Sequence, residues 1–399
     1  MFSTYRTLFQ AKGTKAFALA GLLARLPLPM TGIGIITMLS QITGSYGLAG
    51  AVAATFVLTY ALMSPQSSRL VDRHGQRRVL PAVAGVSVLG ILLLLVCSYW
   101  RLAQWTLFVG AALAGFMPSM SAMVRARWNT IYRGKAQLQT AYSLETVLDE
   151  VTFIAGPPIS VGLSVVILPQ AGPLAAAILL AIGVSALVVQ VGTEPPVESA
   201  PAAGQGSRSI FRLADVRLLT LLMVAMGVIV GTVDIVSVAF AEHMGMPAAA
   251  SVVLSCYAFG SCVAGLVFGA LKLDTPLHKL LLLGGLATAV TTLPLLQAGN
   301  IVGLAGAVLV AGLFFAPTMI VAMSLVERIV PENRLTEGMT WLLAGLNIGV
   351  SGGAAASGQV VDAWGAKAGF NVALAAGAAV LLVALWCYQR MSAGALQAS

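Results

Sequence analysis

Ser68-Arg69-Leu70-Val71-Asp72-Arg73-His74-Gly75-Gln76-Arg77-Arg78-Val79-Leu80 separates two long apolar runs. Four arginines crowd into this short gap. The same loading recurs along the chain in every second gap: Arg6, Lys12 and Lys15 before the first run, then Arg125, Arg127, Arg133 and Lys135, then Arg208, Arg212 and Arg217. Lys272, Lys279, Arg328, Arg334 and Arg390 continue the pattern. Nineteen of the 22 lysines and arginines fall in these alternate gaps or the two tails, whereas the opposite gaps hold only Arg101 and Lys367. Cytoplasmic loops of membrane proteins carry an excess of Lys and Arg. A soluble chain has no reason to sort its positive charge by loop parity, so the apolar runs are expected to cross a bilayer with residues 68–80 on the cytoplasmic side.

Composition agrees. The chain is 58% hydrophobic and only 9% charged, against about a quarter charged in average globular proteins. The net charge of +8 reads as topology and contact with anionic lipid, with no nucleic-acid partner expected. Cys97, Cys256, Cys262 and Cys387 all lie inside apolar runs, with no metal-binding spacing, and read as packed, reduced thiols.

About twenty apolar residues span the hydrocarbon as a helix. Twelve such segments are expected, near 16–40, 47–66, 79–98, 103–124, 139–163, 172–192, 217–240, 248–271, 278–297, 300–326, 339–361 and 368–388. An even number places both termini on the cytoplasmic side. Trp100, Trp105, Trp128, Trp341, Trp364 and Trp386 all fall near span ends, where amphipathic rings prefer the headgroup level. The polar, Pro- and Gly-bearing stretch 193–216 reads as a flexible linker. It divides the chain into a cytoplasmic N-terminal segment 1–15, six spans over 16–192, six more over 217–389, and a tail 390–399. The halves echo each other at an offset of about 200 residues (Gly85 with Gly285, Pro118 near Pro317), as duplicated six-helix bundles would.

The opening loop resembles the signature loop of the major facilitator superfamily, Gly-x-Leu-Ala-Asp-Arg-x-Gly-Arg-Lys-x-x-Leu. Leu70, Asp72, Arg73, Gly75, Arg77 and Leu80 match, while Ser68 and Gln76 depart from the pattern. The resemblance implies an all-α membrane protein of twelve helices in two pseudo-symmetric bundles. It also implies that Asp72 meets the positive N-terminal end of the eleventh span, with Arg73, Arg77 and Arg78 around it and Glu337 as a partner for Arg77 or Arg78. Glycine at 75 suits a tight reversal between helices. Farther along, Gly156-Pro157-Pro158-Ile159-Ser160-Val161-Gly162 resembles a weakened form of the drug-efflux antiporter motif, with Ser160 and Val161 in place of paired glycines; a simple proline kink explains it equally well. Small residues four apart (Ser261, Gly265 and Gly269; Gly345, Gly349 and Gly353) suit close helix packing. Generic bundle packing explains them; the resemblance would put them on a sliding seam between the halves.

Charge inside a membrane costs at least about 2.5–3.5 kcal/mol at mid-depth and marks function or pairing. Arg25 lies within the first span. Glu145, Asp149 and Glu150 lie on the fifth, with Glu145 and Asp149 on one helix face, and Asp234 lies past the middle of the seventh. Two readings compete for Arg25 and the acids of the fifth span: a fixed ion pair, or a substrate and proton site. One arginine cannot neutralise three carboxylates, so a surplus acid is expected to take part in proton coupling. Asp234 lines a cavity or sits near the outer mouth. Asn347, which occupies roughly the place of Asp149 under the repeat offset, is a further polar group for a cavity or an interhelical hydrogen bond.

These readings converge on a secondary transporter, not an enzyme. No nucleotide loop, aligned nucleophile or metal cluster is present in the sequence, so no cofactor is expected. The expected task is proton-coupled export of a small organic compound across the plasma (inner) membrane by a monomer. Proton-linked uptake of a sugar, carboxylate or similar nutrient is the alternative, with Arg25 serving an anionic substrate; a transporter-like membrane sensor is the alternative outside transport.

Overall fold

The computed structural model describes residues 7–132, 135, 137–196, 213–270, 275–330 and 335–397; the side chains of Asp72, Glu150 and Glu337 lie outside the described residues. Among these residues there are fifteen α-helices and no strand. In chain order they are α1 (Thr14–Arg25), α2 (Pro27–Thr43), α3 (Tyr46–His74), α4 (Gln76–Tyr99), α5 (Gln104–Ala114), α6 (Met120–Tyr132), α7 (Gln137–Val166) and α8 (Ala171–Val188). After the linker come α9 (Ala214–His243), α10 (Ala249–Ala270), α11 (Leu277–Thr292), α12 (Ile301–Gly312), α13 (Phe315–Ile329), α14 (Leu335–Trp364) and α15 (Ala366–Gln397). An all-helical answer follows from the solvent. In hydrocarbon every backbone N–H and C=O must find its partner within the protein, and a helix does this within one segment.

Among the described residues, nine helical segments have the length and hydropathy to cross a membrane. The expected spans 139–163 and 339–361 coincide with α7 and α14, each of 30 residues, which at 1.5 Å per residue reach about 45 Å. The remaining expected span, 103–124, is not one continuous helix. α5 stops at Ala114 and α6 starts at Met120, with Pro118, which has no N–H to give to a helix, in the break. Consequently Arg125, Arg127 and Trp128, expected in a cytoplasmic gap, stand on α6 instead. Arg127 and Trp128 are fully buried. Trp128 is therefore an exception to the tryptophan pattern, and Trp341 is half-buried; Trp100, Trp105, Trp364 and Trp386 are exposed, as rings facing lipid or headgroups would be.

By their contacts the helices form two compact units, Met1–Ile42 with Leu58–Gln205, and Thr43–Val57 with Gly206–Ser399. The first residues of α3 thus belong to the second unit. Their attachment is polar. Asp362 near the end of α14 accepts the backbone N–H groups of Tyr46 and Gly47 at 2.8 and 2.7 Å and the Ser45 hydroxyl at 2.8 Å. Tyr46 donates its hydroxyl to Glu242 near the end of α9.

Within the second unit, α9 is buried on nearly every face and packs most extensively against α14. Glycines make this contact. A Cβ on Gly345 or Gly349 would strike the carbonyl oxygen of Thr220 or Val224; one on Gly353, Gly227 or Gly231 would strike that of Val228, Leu346 or Val350. Only an absent side chain allows backbones this close. The Gly345, Gly349 and Gly353 face is therefore an internal seam of one unit. Gly265 behaves likewise, facing the Ala316 methyl of α13 in the same unit. Generic packing accounts for the Gly345, Gly349 and Gly353 stripe and for Gly265; the surroundings of Gly269 lie outside the described residues.

Candidate functional site

Charged residues gather on three helices of the first unit. Arg25, at the end of α1, is buried and pairs with Glu145 of α7, itself buried. Glu145 has a second partner: the Trp128 indole N–H donates to its Oε1 at 2.6 Å. Trp128 is held in turn by Phe17, packed edge-on at 4.6 Å between centroids, and by Tyr132, stacked at 5.9 Å. One turn along α7, Asp149 lies 3.2 Å from Arg25 Nη1. It accepts the Ser121 hydroxyl at 2.5 Å and pairs with Arg125 Nη2 at 2.8 Å. The Asp149 side chain remains partly exposed, unlike that of Glu145.

This arrangement revises the charge count. Arg125 supplies a second positive charge, so the two described acids, Glu145 and Asp149, are matched by Arg25 and Arg125. The third acid, Glu150, has its backbone in α7 and its side chain outside the described residues. A single span over 103–124 hides the partners on α6, because the helix that carries them starts only at Met120. A helix register would have found them: Ser121, Arg125 and Trp128 are spaced four and three apart and so share one face.

Arg25, Tyr60, Ser121, Asp149 and Thr152 line a cavity of about 30 Å³, room for a water or two and too small for an organic solute. Arg25 Nε and Nη1 are buried without a protein hydrogen bond, although Nη1 stays within ion-pair distance of Asp149.

Asp234 stands apart from this cluster, in the second unit. It lies nine residues from the end of α9, about 14 Å along the helix axis. It is half-buried and makes no hydrogen bond or ion pair with another described residue. Asn347 is half-buried on α14, and its carbonyl accepts the Ser351 hydroxyl at 2.9 Å.

The antiporter-like segment is a packing surface inside the first unit. A Cβ on Gly156 would stand 2.8 Å from Pro29 of α2, and Ser160 donates its hydroxyl to the Met30 carbonyl at 2.8 Å. α7 runs on through Pro157 and Pro158 to Val166. In the signature loop, Gly75 has φ 88° and precedes α4, the left-handed conformation that glycine adopts without strain. Ser68 is half-buried, whereas Arg73, Arg77 and Arg78 are exposed. The expected contacts of Asp72 and Glu337 fall outside the described residues.

Two units of long apolar helices, with few charges inside the spans, define a multi-pass membrane protein. The family model of the Major Facilitator Superfamily matches residues 17–275 and 235–397; the chain belongs to that family and is a membrane transporter of its type, with a small molecule as substrate. Solved structures share its fold at low sequence identity. The nucleoside transporter NupG has 15% identity and a TM-score of 0.74, with 93% of this chain and 98% of that one covered. A peptide transporter, POT, has 14% identity and a TM-score of 0.72 over 95% and 94% of the two chains. A bacterial homologue of the iron transporter ferroportin has 16% identity and a TM-score of 0.71 over 94% and 98%. No curated protein sequence matches the chain significantly.

Proposed function

We propose that this transporter exports a small organic compound in exchange for protons, with Asp234 as the proton-carrying group. One contrast carries the reading. The two described membrane acids of the first unit are matched by arginines, whereas Asp234 lies well inside a membrane helix with no described ion-pair partner. An unpaired carboxylate in low dielectric is costly when charged, so its charge state is open to control by substrate and by access to either side. The paired acids, by contrast, serve as fixed links between α1, α6 and α7.

In this reading the six-span halves 16–192 and 217–389, joined by the linker 193–216, rock about a shared site. The tails 1–15 and 390–399 face the cytoplasm, the membrane is the plasma (inner) membrane, and the working unit is a monomer. Export is favoured over uptake by the resemblance of the segment around Gly156 and Pro157, which packs α7 against α2, to the drug-efflux antiporter motif. Arg25, the group that would have received an anionic nutrient, is already engaged by Glu145.

The test uses everted vesicles acidified by respiration. Compounds that raise the melting temperature of the purified protein are added, and a trapped dye reports luminal pH. Antiport predicts a reversible loss of acidity on addition, abolished by Asp234→Asn, while that variant still binds the compound in the melting assay. Further acidification, no response, or a full response from Asp234→Asn would overturn the reading.

A further inference from the structure

The signature loop and the start of the linker enclose a cleft of about 520 Å³ in the first unit, lined by Arg73, His74, Arg77, Arg78, Glu194 and Pro195 among others. It is built, not incidental. Arg127, fully buried, donates from Nη1 to the Gln190 carbonyl at 2.9 Å and to the Thr193 hydroxyl at 2.7 Å, and from Nε to Gln76 at 2.8 Å. These bonds anchor residues 190–193 beside the first turn of α4. The next residue, Glu194, accepts the backbone N–H of Arg77 at 2.8 Å.

Two independent features make this an anion site. The first is the Arg77 N–H, which belongs to the N-terminal turn of the 24-residue α4, the positive end of its dipole. A carboxylate of the chain already binds there. The second is charge. Three guanidinium groups face one carboxylate, and none of the three pairs through its side chain with another described residue. Among the described residues of the cleft, two positive charges remain in excess. His74 is turned to its own helix, with Nδ1 3.1 Å from the Leu70 carbonyl.

We propose that this cleft binds a phosphate-bearing group, with Glu194 as the internal anion that competes with it. Arginine forks match phosphate oxygens in pairs, and the cleft has room for a headgroup. The loop joins the ends of two membrane-spanning segments, Tyr46–Val71 and Gln76–Tyr99. That places the guanidinium groups at the depth of lipid phosphates, so an anionic phospholipid is the source and free phosphate is the rival. The site is independent of the substrate and of proton coupling.

The experiment is native mass spectrometry of the full chain exchanged into micelles with phosphatidylglycerol or phosphatidylcholine, with and without millimolar inorganic phosphate. Phosphatidylglycerol should be retained preferentially. Arg77→Gln with Arg78→Gln should reduce retention about tenfold, as loss of charge-assisted bonds predicts, and Glu194→Gln should increase it. Arg101→Gln should change nothing. Because the double variant could misfold, Arg78→Lys, which keeps the charge and loses the fork, should give an intermediate loss at unchanged melting temperature. Competition by inorganic phosphate would assign the site to soluble phosphate; indifference to it would assign the lipid. Equal retention of both lipids, or retention unaltered by all the arginine variants, would overturn the proposal.

Discussion

Asp362, two residues before the end of α14, accepts the backbone N–H of Gly47 in the first turn of α3 at 2.7 Å. The same carboxylate takes the Tyr46 N–H and the Ser45 hydroxyl, so it serves as a helix cap supplied by a residue 315 positions away. It answers the unsatisfied donors of that turn and the positive end of its dipole together. This bond, with Tyr46 to Glu242, ties residues 43–57 to the second unit.

Replacing the cap should release that segment. Asp362→Ala is expected to cost about 1 kcal/mol, the usual worth of a helix cap. Val52 is fully buried in the segment. In a background without other thiols, a Val52→Cys reporter should be alkylated several-fold faster when Asp362→Ala is added. An unchanged rate would mean that the cap does not hold the segment.

The Arg25–Glu145 pair is expected to behave as a buried pair with a third member. Glu145→Gln leaves the buried guanidinium without its main counter-charge and should cost about 3–5 kcal/mol. Trp128→Phe removes one donor to the same carboxylate and should cost about 1–3 kcal/mol. Joint replacement of Arg25 and Glu145 by Met and Leu should recover much of the loss. Melting temperatures of the set decide it; a double replacement worse than Glu145→Gln alone would show that the charges hold the helices by more than mutual pairing.

The glycine seam predicts a contrast between near neighbours on α14. Gly349→Ala must displace the α9 backbone at Val224, whereas a Cβ on Gly352 meets nothing within 4 Å. Gly349→Ala should cost about 1–3 kcal/mol, in the range of overpacked cores; Gly352→Ala should be neutral or slightly stabilising. Comparable melting temperatures for the two would contradict the close approach of α9 and α14.

Several features were legible without coordinates because they depend on composition along one helix. Loop charge parity marked the family's loop, and the apolar runs marked the helices. The pairing of Arg25 with the acids of the fifth span was foreseeable, since buried charges must be matched. Arg125 was not, because a proline break at residue 118 decides whether it belongs to a loop or to a helix facing Asp149. The partner of the Gly349 face was hidden for a related reason. A stripe of small residues says that something approaches closely, and it carries no record of what.

Sequence alone determined the solvent of this protein. Lipid demands long apolar segments and charge sorted by side, and both are properties of the chain read in order. Tertiary structure decided the partners: Trp128 and Arg25 on Glu145, Asp362 on the start of α3, and α9 against the glycines of α14. Those contacts join residues far apart in the chain, and their energies depend on distances of a few ångströms set by how helices pack. Helix periodicity fixes which residues share a face, and packing alone fixes which faces meet.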